Sequence, residues 1–245
     1  MQNTVSLTVA ESKRLIAKGT VQHPVVQRAL QEGMVAVPPG TTNGYIVEEL
    51  TGETIDRTQF VTGRTLPSNY GGPVPKYTLP DLVLRKGERI EMKATEAVSE
   101  MGAGDVFIKG ANAVNYDLDQ GGVLIGHPTG GTVGSVLGTI VAQRIRLLLP
   151  VGLEKSIPGD LHDVAAALAE ARDAKGPTLW VTPGELLTEI EAFGLLCGVQ
   201  AVPIGAGGIG GAEGALWFAL FGDRSALDKA QSILDDILGE PTFLD

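Results

Sequence analysis

Cysteine is almost absent: Cys197 is the single one in 245 residues, so no intrachain disulfide can form. Histidine is nearly as scarce. His23, His127 and His162 are too few and too scattered to build a Cys/His zinc cluster with one thiol. Aromatic residues make up only 5% of the chain. Basic residues are outnumbered, 19 against 29 acidic, leaving a net charge of −10. That balance excludes a nucleic-acid partner, whose affinity needs a basic patch, and makes an acidic membrane surface a poor one. No apolar run approaches the roughly 20 residues of a membrane span. The N-terminus shows no basic stretch followed by an apolar core, so no secretory signal is read there and a cytoplasmic protein is expected.

What the chain has in excess is glycine, 33 residues, close to twice the usual share of about 7%. Such an excess implies tight turns and close backbone approaches. The apolar content, 43%, is ordinary for a globular protein. A chain this long buries enough surface to need no covalent staples.

Thr8 and Glu11 have capping-box spacing and open a helix, with Gly19 read as its stop. Pro24 opens a second helix that ends at Gly33. Met34–Val37 reads as a strand, followed by the turn Pro38–Gly44 and a helix Tyr45–Leu50 stopped by Gly52. The proline-rich stretch 66–80 reads as an irregular loop, and 82–92 as a hairpin turning at Lys86-Gly87. Residues 94–101 read as helix and 105–108 as a strand. Lys109–Gly134 reads as a long glycine-rich segment, followed by an apolar helix 132–146 and a strand 147–151. Asp160 caps an alanine-rich helix expected to reach Ala174. Then come a strand 178–181, a helix 183–193 with Thr182 and Glu185 as its capping box, strands 199–204 and 215–221 around a glycine loop, and a closing helix 225–238. Alternation of strands and helices predicts an α/β fold with a mostly parallel sheet flanked by helices over residues 1–176. Residues 177–245 are expected to form a small α+β two-layer unit.

Three glycine-rich loops are candidate binding elements. Gly40-Thr41-Thr42-Asn43 leaves a strand and opens a helix, where free N–H groups and hydroxyls suit an anion. Lys109-Gly110 and Asn112 follow a strand end, and Lys109 offers a cation. His127 through Gly130-Gly131-Thr132 again precedes a helix. A plain turn or a surface lysine would read the same way. Gly205–Gly210 fits G-x-G-x-x-G, but a strand-like run follows where a dinucleotide site needs a helix. No cofactor is therefore expected.

The turn Gly40-Thr41-Thr42, leading to Glu48-Glu49-Leu50, is similar to the phosphate-binding turn of ribose-5-phosphate isomerases and of sugar-sensing domains in bacterial repressors. Asp105-Val106-Phe107-Ile108-Lys109-Gly110-Ala111-Asn112-Ala113-Val114-Asn115 resembles the isomerase stretch D-L-A-I-D-G-A-D-E-V-D. The resemblance spans residues 33–145 and implies an isomerase/CoA-transferase-like domain that binds a small anionic, sugar-phosphate-like metabolite. In the isomerases, acids of that stretch act with a lysine and a glutamate around the glycine run. Here the acid positions hold Lys109, Asn112 and Ala113, the lysine position holds Gln120, and no glutamate occurs from 115 through 151. Asparagine cannot take a proton, so the resemblance implies a retained cradle without the isomerase carboxylates. Turnover by Lys109 or His127 stays open. So does a CoA-transferase-like acyl transfer on Glu213, or a non-enzymatic sensor or assembly subunit. The small-residue helices 132–146 and 161–174 suit packing against a second copy, and equally burial within one chain.

Overall fold

The computed structural model describes residues 1–171 and 175–244. A six-stranded mixed sheet forms its centre, in the order β10(Glu185–Leu187), β8(Arg146–Pro150), β5(Val106–Ile108), β2(Met34–Val37), β3(Leu82–Arg85), β4(Glu88–Arg89). The first four strands run parallel; β3 pairs antiparallel with β2, and β4 pairs antiparallel with β3. The expected α/β architecture is present, with the sheet mixed where a mostly parallel one was expected. Lys86 and Gly87, both with positive φ, make the primed turn that joins β3 to β4.

Strand alternation builds the layers. Val35, Val37, Val106, Ile108 and Leu148 face one side, with α1(Val9–Gln22), α2(Pro24–Glu32) and α3(Thr41–Thr51) packed over them. Met34, Ala36, Phe107, Leu147 and Leu149 face the other, under α4(Ala94–Ala97) and α5(Gly131–Gln143).

Two antiparallel sheets flank this core. One is β6(Ala113–Asn115), β7(Gln120–Ile125) and β9(Thr178–Thr182), covered by α6(Leu161–Glu170). The other is β1(Gln2–Leu7), β12(Leu216–Phe221) and β11(Gln200–Ala206), packed on α7(Glu189–Cys197) and α8(Arg224–Ile237), with Phe193 edge-on to Phe218 at 5.8 Å. The chain crosses the expected boundary at 176 in both directions: β1 pairs with β12, and β10 pairs with β8. No helix among the described residues is long and apolar enough to cross a membrane.

The capping box at Thr8 and Glu11 is in place, and Pro24 sits in the first turn of α2. Four readings need correction. Gly19 does not stop α1: a Cβ there would lie 2.7 Å from Ala192, so it is the point where α1 and α7 touch. The segment 109–134 is not all loop, since it contains the hairpin β6–β7. Gly121 and Gly122 lie within β7 because Leu149 and Leu179 press where their side chains would be. Glu185 opens no helix. Leu186 and Leu187 extend the main sheet as β10, and the capping box is one step later, at Thr188 and Glu191. β1 has no counterpart in the sequence reading. Asp160 does cap α6, which ends at Glu170; Ala174 lies outside the described residues.

Two glycines on the same helix pair should respond oppositely to alanine. Gly19→Ala forces α1 from α7 and is expected to cost about 1–3 kcal/mol. Gly194, on the exposed side of α7 with nothing within 4 Å, should gain up to about 1 kcal/mol. Urea unfolding of both variants measures the contrast, and equal effects would refute the contact at Gly19.

Candidate functional site

Each parallel strand delivers its next segment to the carboxyl edge of the sheet, where open α/β sheets bind ligands. β2 leads to Gly40–Thr42, β5 to Lys109–Asn112, and β8 to a tight turn at Leu153–Lys155. These segments line one cleft of about 720 Å3, together with Thr62–Thr65 and the Gly126–Val133 region. Gly40, Thr41, Thr42, Lys109, Gly110, Asn112, His127, Gly130, Gly131 and Thr132 all lie on it. The three loops singled out in the sequence therefore meet.

Two expected residues lie elsewhere. Asn43 is fully buried beneath the cleft, where its Nδ2 donates to the carbonyls of Pro38 (2.8 Å) and Ile108 (3.2 Å). It ties the end of β2 to the end of β5. Glu213 is exposed in the β11–β12 hairpin loop, accepting from the Gly211 N–H at 2.9 Å, and it does not line the cleft. The Gly205–Gly211 segment does not line it either.

Both helices that start at the cleft begin on glycine, at Gly40 and Gly130, and neither has a side-chain cap. The residues of both helix starts line the cleft, and a helix start leaves free N–H groups from which an anion could accept. Gly130 needs its left-handed conformation (φ 84°), and a Cβ there would press on Gly134 at 2.9 Å. His127 Nδ1 accepts from the Thr129 N–H (3.3 Å) and lies 2.9 Å from the Thr129 hydroxyl, which leaves Nε2 as the N–H side of the ring. Asn112 spends its Oδ1 on the Leu124 N–H at 3.0 Å.

The charge of the lining is one-sided. Arg64, Lys109 and Lys155 are its cations, and none of the described lining residues is Asp or Glu. Lys109 Nζ donates to the Gly110 carbonyl (3.0 Å), and Lys155 Nζ to the next carbonyl, that of Ala111 (2.9 Å). Neither pairs with a carboxylate among the described residues. Desolvation, reinforced by the charge of Lys155, lowers Lys109 to a pKa of about 8. Lys155 and Arg64 were missed in the sequence. Lys155 had a readable signal, because it follows the strand 147–151 just as the chosen loops follow theirs. A second, more open cavity of about 730 Å3 lies across the Gly126–Gly130 turn, and its described lining holds no lysine, arginine or carboxylate.

Beneath Lys155 sits a buried carboxyl. Glu189 Oε2 accepts from the Leu153 N–H at 3.0 Å and so holds the turn that carries Lys155. Its Oε1 is buried without a partner, as are Glu154 Oε2 and Ser12 Oγ. Desolvation, and then the nearby Glu154 charge, push Glu189 up to about 7. No group of three metal-ligating side chains occurs among the described residues. No family model, curated protein or solved structure matches this chain.

The raised Glu189 fixes the sign of a pH effect. The folded chain keeps a proton there that the unfolded chain releases near pH 4.5, so this stabilisation is complete below that pH and fades up to about 7. Glu189→Gln keeps an acceptor for Leu153 and removes the titration. The variant should match the wild type at about pH 4 and exceed it in urea midpoint at pH 8. Equal midpoints at pH 8 would mean Glu189 titrates normally.

Proposed function

We propose that the cleft binds a small phosphorylated metabolite, sugar-phosphate-like, between the Gly40–Thr42 turn, Lys109–Asn112 and the Gly130–Thr132 turn. The observation that carries this reading is the charge of the lining: three cations and no carboxylate among the described residues, in a chain of net charge −10. At the chain's share of 29 acids in 245 residues, a lining of this size would carry about three, and this one carries none among the described residues. The two uncapped helix starts add N–H donors for the phosphate oxygens, and Thr41, Thr42 and Thr132 add hydroxyls for sugar or phosphate. The similarity to ribose-5-phosphate isomerases over residues 33–145 supports the choice of a sugar phosphate. The missing carboxylates argue against the proton shuttle of those enzymes, since a general base has to accept a proton within reach of the ligand. Any acid–base work in the cleft falls to Lys109 and His127. Acyl transfer through Glu213 has no support from the geometry, because that carboxylate lies outside the cleft.

Thermal unfolding with ribose 5-phosphate tests the reading. Ligand at 100 times its dissociation constant adds about 2.7 kcal/mol, which for a domain of this size raises the midpoint by roughly 5–10 °C. Lys155→Ala and Gly130→Ala should each abolish most of the shift, while Glu213→Gln keeps it. A shift with CoA in place of the sugar phosphate, lost in Glu213→Gln, would overturn the assignment.

A further inference from the structure

The cleft floor contains an arrangement that anion binding alone does not require. Lys109 stands at the end of β5, with its backbone N–H fixed on the Leu148 carbonyl at 2.9 Å. Among the described residues its ammonium bonds the Gly110 carbonyl alone, and Lys155 is anchored on the very next carbonyl. A lysine meant only to hold a phosphate gains from full charge and a mobile tip. This one is half-buried on a rigid strand end, beside a second cation. Desolvation and a neighbouring ammonium are the two devices that make a lysine amine nucleophilic near neutral pH.

We infer that Lys109 is an imine-forming lysine that condenses with the carbonyl of an open-chain aldose or ketose phosphate held in the cleft. The inference rests on the sugar-phosphate reading above. In the step, the Lys109 ammonium first releases a proton to solvent. The free amine's lone pair then forms a C–N bond to the carbonyl carbon, while the C=O π pair moves to oxygen. Proton transfer from nitrogen to that oxygen gives a carbinolamine. A further proton lets the C–O bond break with loss of water, leaving a protonated C=N bond. Nothing is oxidised or reduced, and one water leaves for each carbonyl consumed. Lys155 has the supporting role: its charge favours the neutral amine on Lys109 and attracts the phosphate. The lowered Lys109 pKa of about 8 places an appreciable fraction of free amine at neutral pH.

Reductive trapping decides the matter. The full chain is incubated with ribose 5-phosphate and cyanoborohydride, and the adduct is located by peptide mass mapping. One adduct, on Lys109, is expected, absent in Lys109→Arg. Its rate should rise with pH to a midpoint near 8. Lys155→Met should slow trapping at pH 7 severalfold, because the cleft loses a cation for the phosphate and Lys109 loses the charge that adds to desolvation in lowering its pKa. Inorganic phosphate supplies the independent control. If phosphate raises the unfolding temperature of wild type and of Lys109→Arg but no Lys109 adduct forms, the imine is refuted and the anion site stands. Adducts spread over many lysines at one common rate refute it equally. A Lys109 adduct that phosphate neither slows nor competes with upholds the imine and refutes the phosphate reading.

Discussion

The direction of four strands governs the candidate site. β2, β5, β8 and β10 run parallel, so their carboxyl ends lie along one edge and each hands its next residues to the same side of the molecule. Gly40–Thr42, Lys109–Asn112, the turn of Lys155 and the buried Glu189 are all consequences of that single constraint. Neighbouring strands lie about 4.8 Å apart, so consecutive strand ends bring their loops within reach of one small ligand. Asn43 reinforces the arrangement, because its amide spans the carbonyls of Pro38 and Ile108. Glu189 does the same for the third segment through Leu153. The lining side chains thus stand on a frame fixed by buried polar contacts.

The acids that outnumber the bases are kept out of the cleft lining, with Glu154 and Glu189 behind it at the turn of Lys155. Arg14 on α1 binds Glu48 and Glu49 on α3, at 2.6 and 3.0 Å, and Glu240 beyond α8 at 2.9 Å. Arg57 adds a bond to Glu240 at 2.7 Å, and both guanidinium groups lie over the Tyr45 ring. Burial opposes the Arg14 charge, yet the bonds to Glu240 and Glu48 overcome it and hold the guanidinium above its ordinary value. The cluster secures the carboxyl-terminal half of α3, the helix whose other end opens at the cleft. One helix therefore presents acids, neutralised, at its far end and bare N–H groups at its near end. The sense is set by the helix dipole at the near end and by arginine partners at the far one, where carboxylates alone would be unfavourable.

Features set by local chemistry were readable from the sequence: the Thr8–Glu11 cap, the Pro24 start, the Lys86-Gly87 turn and the three glycine loops. Features set by distant partners were not. β1 reads Gln-Asn-Thr-Val-Ser-Leu, with only Leu7 buried, because it is an edge strand exposed on one face. Its partner β12 begins more than two hundred residues later. The glycines of β7 look like loop residues, and only the packing of Leu149 and Leu179 shows that a strand needs them. Two Thr-x-x-Glu patterns lie six residues apart, at Thr182 and Thr188. Which one caps a helix depends on whether Leu186 and Leu187 find a parallel neighbour, and β8 supplies it. In the site, the loops were read because glycine marks them. Lys155 was missed because its loop contains an ordinary Glu-Lys pair.

At 112 and 113, where the similar isomerase stretch carries acids, the surroundings give a local reason for the residues present. Ala113 begins β6 and is buried against Leu161 and Leu179, where a carboxylate would be left without water. Asn112 gives its Oδ1 to the β7 backbone at Leu124. An aspartate there could accept the same bond, but it would bring a negative charge to a lining that holds two lysines and no acid. That charge would pair with Lys109 or Lys155, raise their affinity for protons and repel an anionic ligand. The lining thus combines two neighbouring amines with no acid among the described residues. No lining side chain among the described residues can take the part of a carboxylate in a proton shuttle, and Lys109 owes its lowered pKa to desolvation first and to the Lys155 charge second.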